Sequence, residues 1–344
     1  MADEMTAVRL HGVGDLRVET ISRPPGPGAG EVLLRLLAAG ICGSDLHNFQ
    51  TGAWIAHLPV TPGHEFCAEI VAVGPDVTAW QVGQRVVVDS RAVCGECESC
   101  AVGETNLCEQ LGFVGELCDG AFGEWCLQPV ERLIAVPDDV ASEVAALAEP
   151  LGVALHVLKR LAPHPDQPLV IVGGGTIGGL VALLARDMAL GPLLLVERNA
   201  ERAALLERVC GVEALTFDAL ADRRPRLAVE ATGSAAALKA LIDSMGRGSR
   251  VALVGLFHQL AELDANLLVE REIDLIGCSV FRDEQREVMA RLAALAPALR
   301  ELCESPISLE AVPARYTSLI AGGGARLKSL VVPSVCDAKP SEEI

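Results

Sequence analysis

A chain of 344 residues with 51% hydrophobic content has material for two domains with sizeable cores, which excludes a disordered chain. A formal net charge of −18 and a pI near 4.8 oppose nucleic acid and anionic membrane surfaces and leave small molecules as the expected partners. The N-terminus MADEMTAVRLHG has acids where a secretory signal needs bases, so its twelve cysteines are expected in a reducing cytoplasm, as metal ligands or small apolar fillers.

Residues 1 to about 150 read as short strands broken by Gly and Pro, at 7–10, 16–19, 32–39, 66–73, 85–88 and 124–127. This is the pattern of a β-rich domain. After the third strand comes Gly40-Ile41-Cys42-Gly43-Ser44-Asp45-Leu46-His47, and before the fourth comes Pro62-Gly63-His64-Glu65. Cys42, His64 and a carboxylate are the mixed S, N and O donors of a catalytic zinc that keeps one position open. Asp45 is expected as a hydrogen-bond acceptor beside such a site rather than a ligand. The segment 49–57, with Trp54 and His57, lies between the two motifs and is expected to wall the substrate side.

Cys94, Cys97 and Cys100 are spaced CxxCxxC, and Cys108 follows after seven intervening residues. Thiolates this close converge on one tetrahedral Zn²⁺, whereas two disulfides between such near neighbours would close strained, very small loops. A site closed by four thiolates has no open position and is structural, in a lobe at about 90–110. Cys67, Cys126, Cys210, Cys278 and Cys303 are expected as buried fillers.

Beyond Pro163-His164-Pro165 apolar strands at 169–172, 193–197, 227–230, 251–254 and 273–277 alternate with helical stretches such as 200–209 and 235–245. Near-continuous apolar strands are buried on both faces of a parallel sheet, so 154–298 reads as a doubly wound α/β domain. The 19 residues from Gln167 to Ala185 carry no charge, but Gly173-Gly174-Gly175 at their centre fits strand, turn and helix rather than a membrane span. That segment holds GxGxxG as Gly173, Gly175 and Gly178, with Thr176 and Ile177 inside the motif. Gly173 permits the tight turn, Gly175 lets backbone approach a pyrophosphate at the helix N-terminus, and Gly178 lets helix and strand pack closely. Glu197, 19 residues on, is placed to accept hydrogen bonds from a ribose, which favours NAD over NADP; Arg198 and Arg202 are the residues that could meet a 2′-phosphate instead. The tail from about 300 turns to mixed short elements, and 327–332 is expected to return to the first domain.

The motifs in this order resemble the zinc-dependent medium-chain alcohol and polyol dehydrogenases over nearly the whole length: Cys42, Ser44 two residues on, His47 five residues on, Gly63-His64-Glu65, the four-cysteine lobe, then Gly173 to Gly178. The resemblance implies an α/β chain with a GroES-like β-rich catalytic domain, 1–153 and 299–344, and a Rossmann NAD-binding domain, 154–298. It implies two zinc ions per chain, a homodimer or homotetramer, and hydride transfer between NAD(H) and a secondary alcohol or ketone. Ser44 would take the hydroxyl proton and pass it by way of the nicotinamide ribose to His47. Glu149, in Ala148-Glu149-Pro150-Leu151-Gly152, looks like the carboxylate carried by sorbitol, threonine and butanediol dehydrogenases, so either Glu65 or Glu149 would complete the zinc set. The wording leans toward polyols, sugar alcohols or related diols, with L-threonine 3-dehydrogenase or 2,3-butanediol dehydrogenase activity as the alternative. A reading of another class is a non-catalytic NAD(H)-binding zinc protein. Two departures stand out: Ala68 replaces the usual Gly, and Phe281-Arg282 is followed by Asp283 where polyol dehydrogenases carry an aromatic residue. His156 and His258 are expected as ordinary core or helix histidines.

Overall fold

The computed structural model describes residues 4–333. The segment 334–344, assigned above to the first domain, lies outside the described residues.

The β-rich unit opens with the antiparallel hairpin Glu4–Gly12 and Asp15–Ser22. Its main sheet is antiparallel and runs Leu330–Val331, Glu31–Gly40, Glu65–Val73, Arg85–Val88, Leu133–Ala135, with Trp125–Pro129 also on Glu31–Gly40. Period-two alternation decides the packing, and a bulge between Leu36 and Ala38 inverts its phase near the end of Glu31–Gly40. Leu34, Leu36, Phe66, Ala68, Ile70, Val86 and Val88 fill one core, while Ala38, Cys67 and Val87 face the opposite side and join a core shared with the helix Ala148–Leu161.

The second sheet is wholly parallel, in the order Glu213–Ala214, Leu193–Val196, Leu169–Val172, Leu227–Glu230, Arg250–Leu253, Asp274–Gly277. In chain order this is 3-2-1-4-5-6, the doubly wound arrangement whose crevice lies outside the C-terminal ends of its strands. Leu169 and Ile171 pack into one helix layer, and Val170 and Val172 into the other. Such strands read as plain apolar runs because both faces are covered.

The units are joined by helices, not by loops. Ala148–Leu161 runs straight through position 153 and Leu292–Leu302 through position 298, so each expected domain boundary falls inside a helix. The tail does return to the first sheet: Leu330 pairs with Gly40 and Val331 with Ala39, and Ile41 N–H donates to the Ser329 carbonyl at 3.0 Å. Among the described residues no helix is long and apolar enough to cross a membrane.

Candidate active site and metal centres

The register Gly40↔Glu65 places the end of one strand beside the start of the next, and chain geometry does the rest. Cys42 follows as the N-cap of the helix Gly43–Thr51, and His64 immediately precedes Glu65. A Cβ at residue 40 would lie 2.2 Å from Glu65 Oε2, so only glycine leaves room for that carboxylate. One Sγ, one ring nitrogen and one carboxylate oxygen of Cys42, His64 and Glu65 lie within 4.8 Å of one another, a donor set that fits zinc. Asp45 is not a member of the group. Its Oδ2 accepts the Cys42 N–H at 2.8 Å and its Oδ1 stands 3.6 Å from His64 Nδ1, an arrangement that would leave His64 Nε2 available to a metal. Burial alone would lower the His64 pKa, but the Asp45 carboxylate and the Cys42 sulfur outweigh it and hold it well above the ordinary value.

Two buried groups flank the cluster. Lys328 is 3% exposed, and its Nζ donates to Glu65 Oε1 at 2.7 Å and to the Ile41 carbonyl at 3.0 Å. Burial disfavours its charge, yet Glu65 more than compensates and its pKa is raised. Sequence reasoning missed this residue, although a lysine amid Leu327-Lys328-Ser329-Leu330-Val331 is a visible break in an apolar strand. Glu149 is buried but stands outside the group of three, and the Ser90 hydroxyl donates to it at 3.2 Å. Burial pushes its pKa up to about 7, with His64 opposing and Glu65 adding to the shift. Of the two candidate carboxylates, Glu65 is therefore the one grouped with Cys42 and His64.

Ser44 and His47 sit three residues apart on the helix Gly43–Thr51, hence on adjoining positions of one face. The His47 ring lies 4.5 Å from Trp54 and 4.8 Å from His258, centroid to centroid. The reading of His258 as a core or helix histidine is corrected by this placement: it is exposed, in the loop after the strand Arg250–Leu253. An apolar sequence context gave no sign of a loop that reaches across to the other unit. His156 does lie buried on a helix. Within 49–57 the Trp54 ring packs on His47, while Phe49 packs edge-on to Tyr316 at 5.7 Å. Arg282 is held by Glu104 at 2.9 Å, and Phe281 is fully buried beneath Arg91.

The four lobe thiols also form one group within 4.8 Å. Backbone N–H groups donate to their sulfurs, Cys94 to Cys108 at 3.3 Å, Cys97 to Cys94 and Gln110 to Cys108 at 3.4 Å, which is how a protein supports closely packed thiolates. Bonds from the Glu109 and Cys100 N–H groups bring the Cys97 thiol down to about 6, whereas desolvation and proton sharing with Cys97 push Cys100 up to about 12. The described cysteines are all free; of the expected fillers Cys67, Cys126 and Cys210 are buried, and Cys278 and Cys303 are half-buried.

A cleft of about 550 Å³ between the units is lined by Cys42 and Gly43 on one side and by Gly175, Thr176, Glu197, Arg198 and Arg202 on the other. Gly173 has φ 94°, and a Cβ on Gly178 would lie 1.8 Å from the Gly173 carbonyl oxygen. A Cβ on Gly175 would meet nothing within 4 Å, so the space over the helix N-terminus is open to a ligand. The Thr176 hydroxyl donates to the Leu327 carbonyl, and Ile177 packs on the core. Glu197 accepts from Gly174 N–H and Asn199 N–H, both at 2.7 Å. Arg202 is drawn to Glu197 at 3.4 Å and donates to the Gly324 carbonyl, while Arg198 is exposed. Arg326, not foreseen, lines the same cleft.

The alcohol dehydrogenase GroES-like domain family matches residues 28–138. A sorbitol dehydrogenase of Bacillus subtilis strain 168 is 32% identical over 293 residues, 81% of this chain and 82% of that protein. An L-threonine 3-dehydrogenase of Chelativorans sp. strain BNC1 is 32% identical over 285 residues, 79% of this chain and 82% of that one. Among solved structures, a zinc-binding dehydrogenase from Sinorhizobium meliloti 1021 bound to NADP is similar with a TM-score of 0.89 at 28% identity, covering 96% of this chain and 100% of that one. The chain belongs to the zinc-dependent medium-chain dehydrogenases, with a GroES-like antiparallel sheet and a Rossmann-like parallel sheet, and is an enzyme of the alcohol and polyol dehydrogenase type.

Proposed function

We propose that this enzyme transfers hydride between NAD(H) and a secondary alcohol or ketone of a polyol, sugar alcohol or related diol. The observation that carries the reading is the shared cleft: Cys42, of the Cys42, His64 and Glu65 group, and the glycine turn with Glu197 open into the same 550 Å³ space. A hydroxyl-bearing carbon and a nicotinamide can meet only where those two sites adjoin. Cys42, His64 and Glu65 would hold a zinc ion, which would supply the Lewis acidity that lowers the pKa of a substrate hydroxyl toward neutrality. Ser44 would take the proton, which would pass by way of the nicotinamide ribose to His47 and on to solvent. Asp45 keeps His64 oriented, and Lys328 balances the Glu65 charge. A second zinc in the Cys94, Cys97, Cys100 and Cys108 lobe is structural.

Glu197 favours NAD, because a ribose hydroxyl can donate to it while a 2′-phosphate would meet its negative charge, and because Arg202 is already engaged by it. The reading divides the chain into 1–153 with 299–344 for substrate and 154–298 for coenzyme, and places a homodimer or homotetramer in the cytoplasm. A 3-hydroxy amino acid is the second substrate reading, supported by the 32% identity to an L-threonine 3-dehydrogenase. The test is NADH formation across polyols, diols, L-threonine and simple alcohols, with zinc quantified and NADP run in parallel. Turnover of polyols or diols with NAD is the expected result; turnover of L-threonine alone replaces the substrate class, silence throughout with two zinc ions bound points to a specialised substrate or a non-catalytic role, and silence with about one zinc per chain supports the non-catalytic reading.

A further inference from the structure

His47 is covered from both units. Trp54, from the β-rich unit, stands 4.5 Å away at 42°, and His258, from the parallel-sheet unit, stacks at 4.8 Å and 25°. An imidazole held by its faces keeps both edge nitrogens free to take and give a proton, which is what the last group of a relay needs. A second imidazole on its face also disfavours charge on the first, since two charged rings at this distance repel and the cover removes water. Burial, and after it the charge of His258, lower the His47 pKa. The other neighbours are accounted for: Trp54 is uncharged, Thr51 donates to the His47 carbonyl rather than the ring, and Asp45, on the same helix, is turned to Cys42 N–H and His64.

We propose that His258 is a positioning residue for the proton relay: carried across the cleft by the coenzyme unit, it closes over the His47 ring and keeps it in place as an uncharged acceptor while the two units are together. The inference rests on the reading of His47 as the end of the relay. It ties the competence of His47 to domain approach, because the group that covers it arrives on the unit that binds the coenzyme.

The experiment uses the full chain and two readouts. The first is the NMR titration of the His47 C2 proton, assigned by its disappearance in His47→Gln. The second is the pH profile of kcat/KM for the alcohol identified above. His258→Ala is expected to move the His47 titration upward toward the ordinary histidine range, to carry the acid limb of kcat/KM upward with it, and to lower kcat/KM several-fold on the acid side of neutrality. His258→Phe keeps the cover and removes only the charge, so it is expected to give a smaller shift of the same sign. An unchanged His47 titration in His258→Ala overturns the proposal and leaves the relay reading intact. A His47→Gln enzyme with undiminished turnover and an unmoved acid limb overturns the relay reading itself, whatever His258 does.

Discussion

Lys328 and Glu65 are opposite charges with side chains 2% and 1% exposed, one on the returning tail and one on the strand that carries His64. Neither charge has water to fall back on, so each depends on the other. In metal-free protein Lys328→Met is expected to cost about 3–5 kcal/mol in urea denaturation, because it strands the Glu65 charge, and Lys328→Met with Glu65→Gln should recover most of that loss. A single-variant cost under about 1 kcal/mol would show that Glu65 does not carry a buried charge there. Tyr316, the one tyrosine of the chain, poses the reverse case. It is 1% exposed, its ring meets Phe49 and Phe122 edge-on, and its hydroxyl has no hydrogen-bond partner. Burial, with the nearby charges of Asp45 and Cys42, pushes its pKa well above the ordinary value, so the group is a neutral, unpaired hydroxyl. Tyr316→Phe keeps the ring and removes the unpaired oxygen, and is expected to raise stability by about 1 kcal/mol; a loss of similar size would mean that the hydroxyl is bonded in solution.

Among the elements, the glycine turn and the zinc lobe make the sharpest demands. Gly178→Ala would put a Cβ 1.8 Å from the Gly173 carbonyl oxygen, backbone against backbone, so helix Thr176–Asp187 must move off its strand. Calorimetry should then show NAD binding weakened at least tenfold, about 1.4 kcal/mol, and unchanged affinity would place the coenzyme away from this turn. The lobe reaches further than its own loop. Arg91 donates to Thr105 within it, to both oxygens of Asp89, and to the Phe281 and Arg282 carbonyls of the other unit. Cys97→Ser should therefore cost one zinc per chain and lower the melting temperature, since structural zinc contributes on the order of 10 kcal/mol in small domains; retention of two zinc ions would sink the four-thiolate assignment. What could be read from the letters follows the same physics. Leu193–Val196 announces itself because a strand covered on both faces must be apolar throughout. Arg91–Ala92 does not, because two residues carry no period and only their tertiary partner makes them a strand, whereas Leu330–Val331 is legible only as part of an apolar segment, 327–332, expected to return to the first domain. The helix Gly43–Thr51 has no apolar stripe; it is set by Asp45 bonding back to Cys42 N–H and by Gly52 in the left-handed region at φ 65°. The candidate donors Cys42 and His64 were legible as residue types, but the grouping of Glu65 rather than Glu149 with them, and the approach of His258, depend on strand register and domain contact that spacing does not encode.

At the scale of the molecule, the two units are held by shared helices and by a few buried polar ties. Gln285 Nε2 donates to the Val88 carbonyl, Arg91 reaches 281–282, and His156, on the helix Ala148–Leu161, meets Glu284 at 3.3 Å. Glu284 opens the helix Glu284–Val288, and burial alone would raise its pKa. The contact with His156, then the bonds from the N–H groups of Arg282 and of Glu284 itself, win and hold it down to about 2. A carboxylate depressed in the folded state contributes stability that is fully present above its unfolded pKa and is lost as pH falls through the folded value. The window is thus from the ordinary glutamate value of 4.5 down to about 2. Glu284→Gln keeps the shape and cannot titrate, so it should be less stable than the parent at neutral pH. The gap in melting temperature should then close progressively as pH falls through that window. The difference between the two proteins cancels the protonation of other carboxylates and any acid release of zinc, which both share. A gap that stays constant to the bottom of the window would mean that Glu284 is not held charged by the contact between the units, and that the Gln285 and Arg91 ties carry the junction without it.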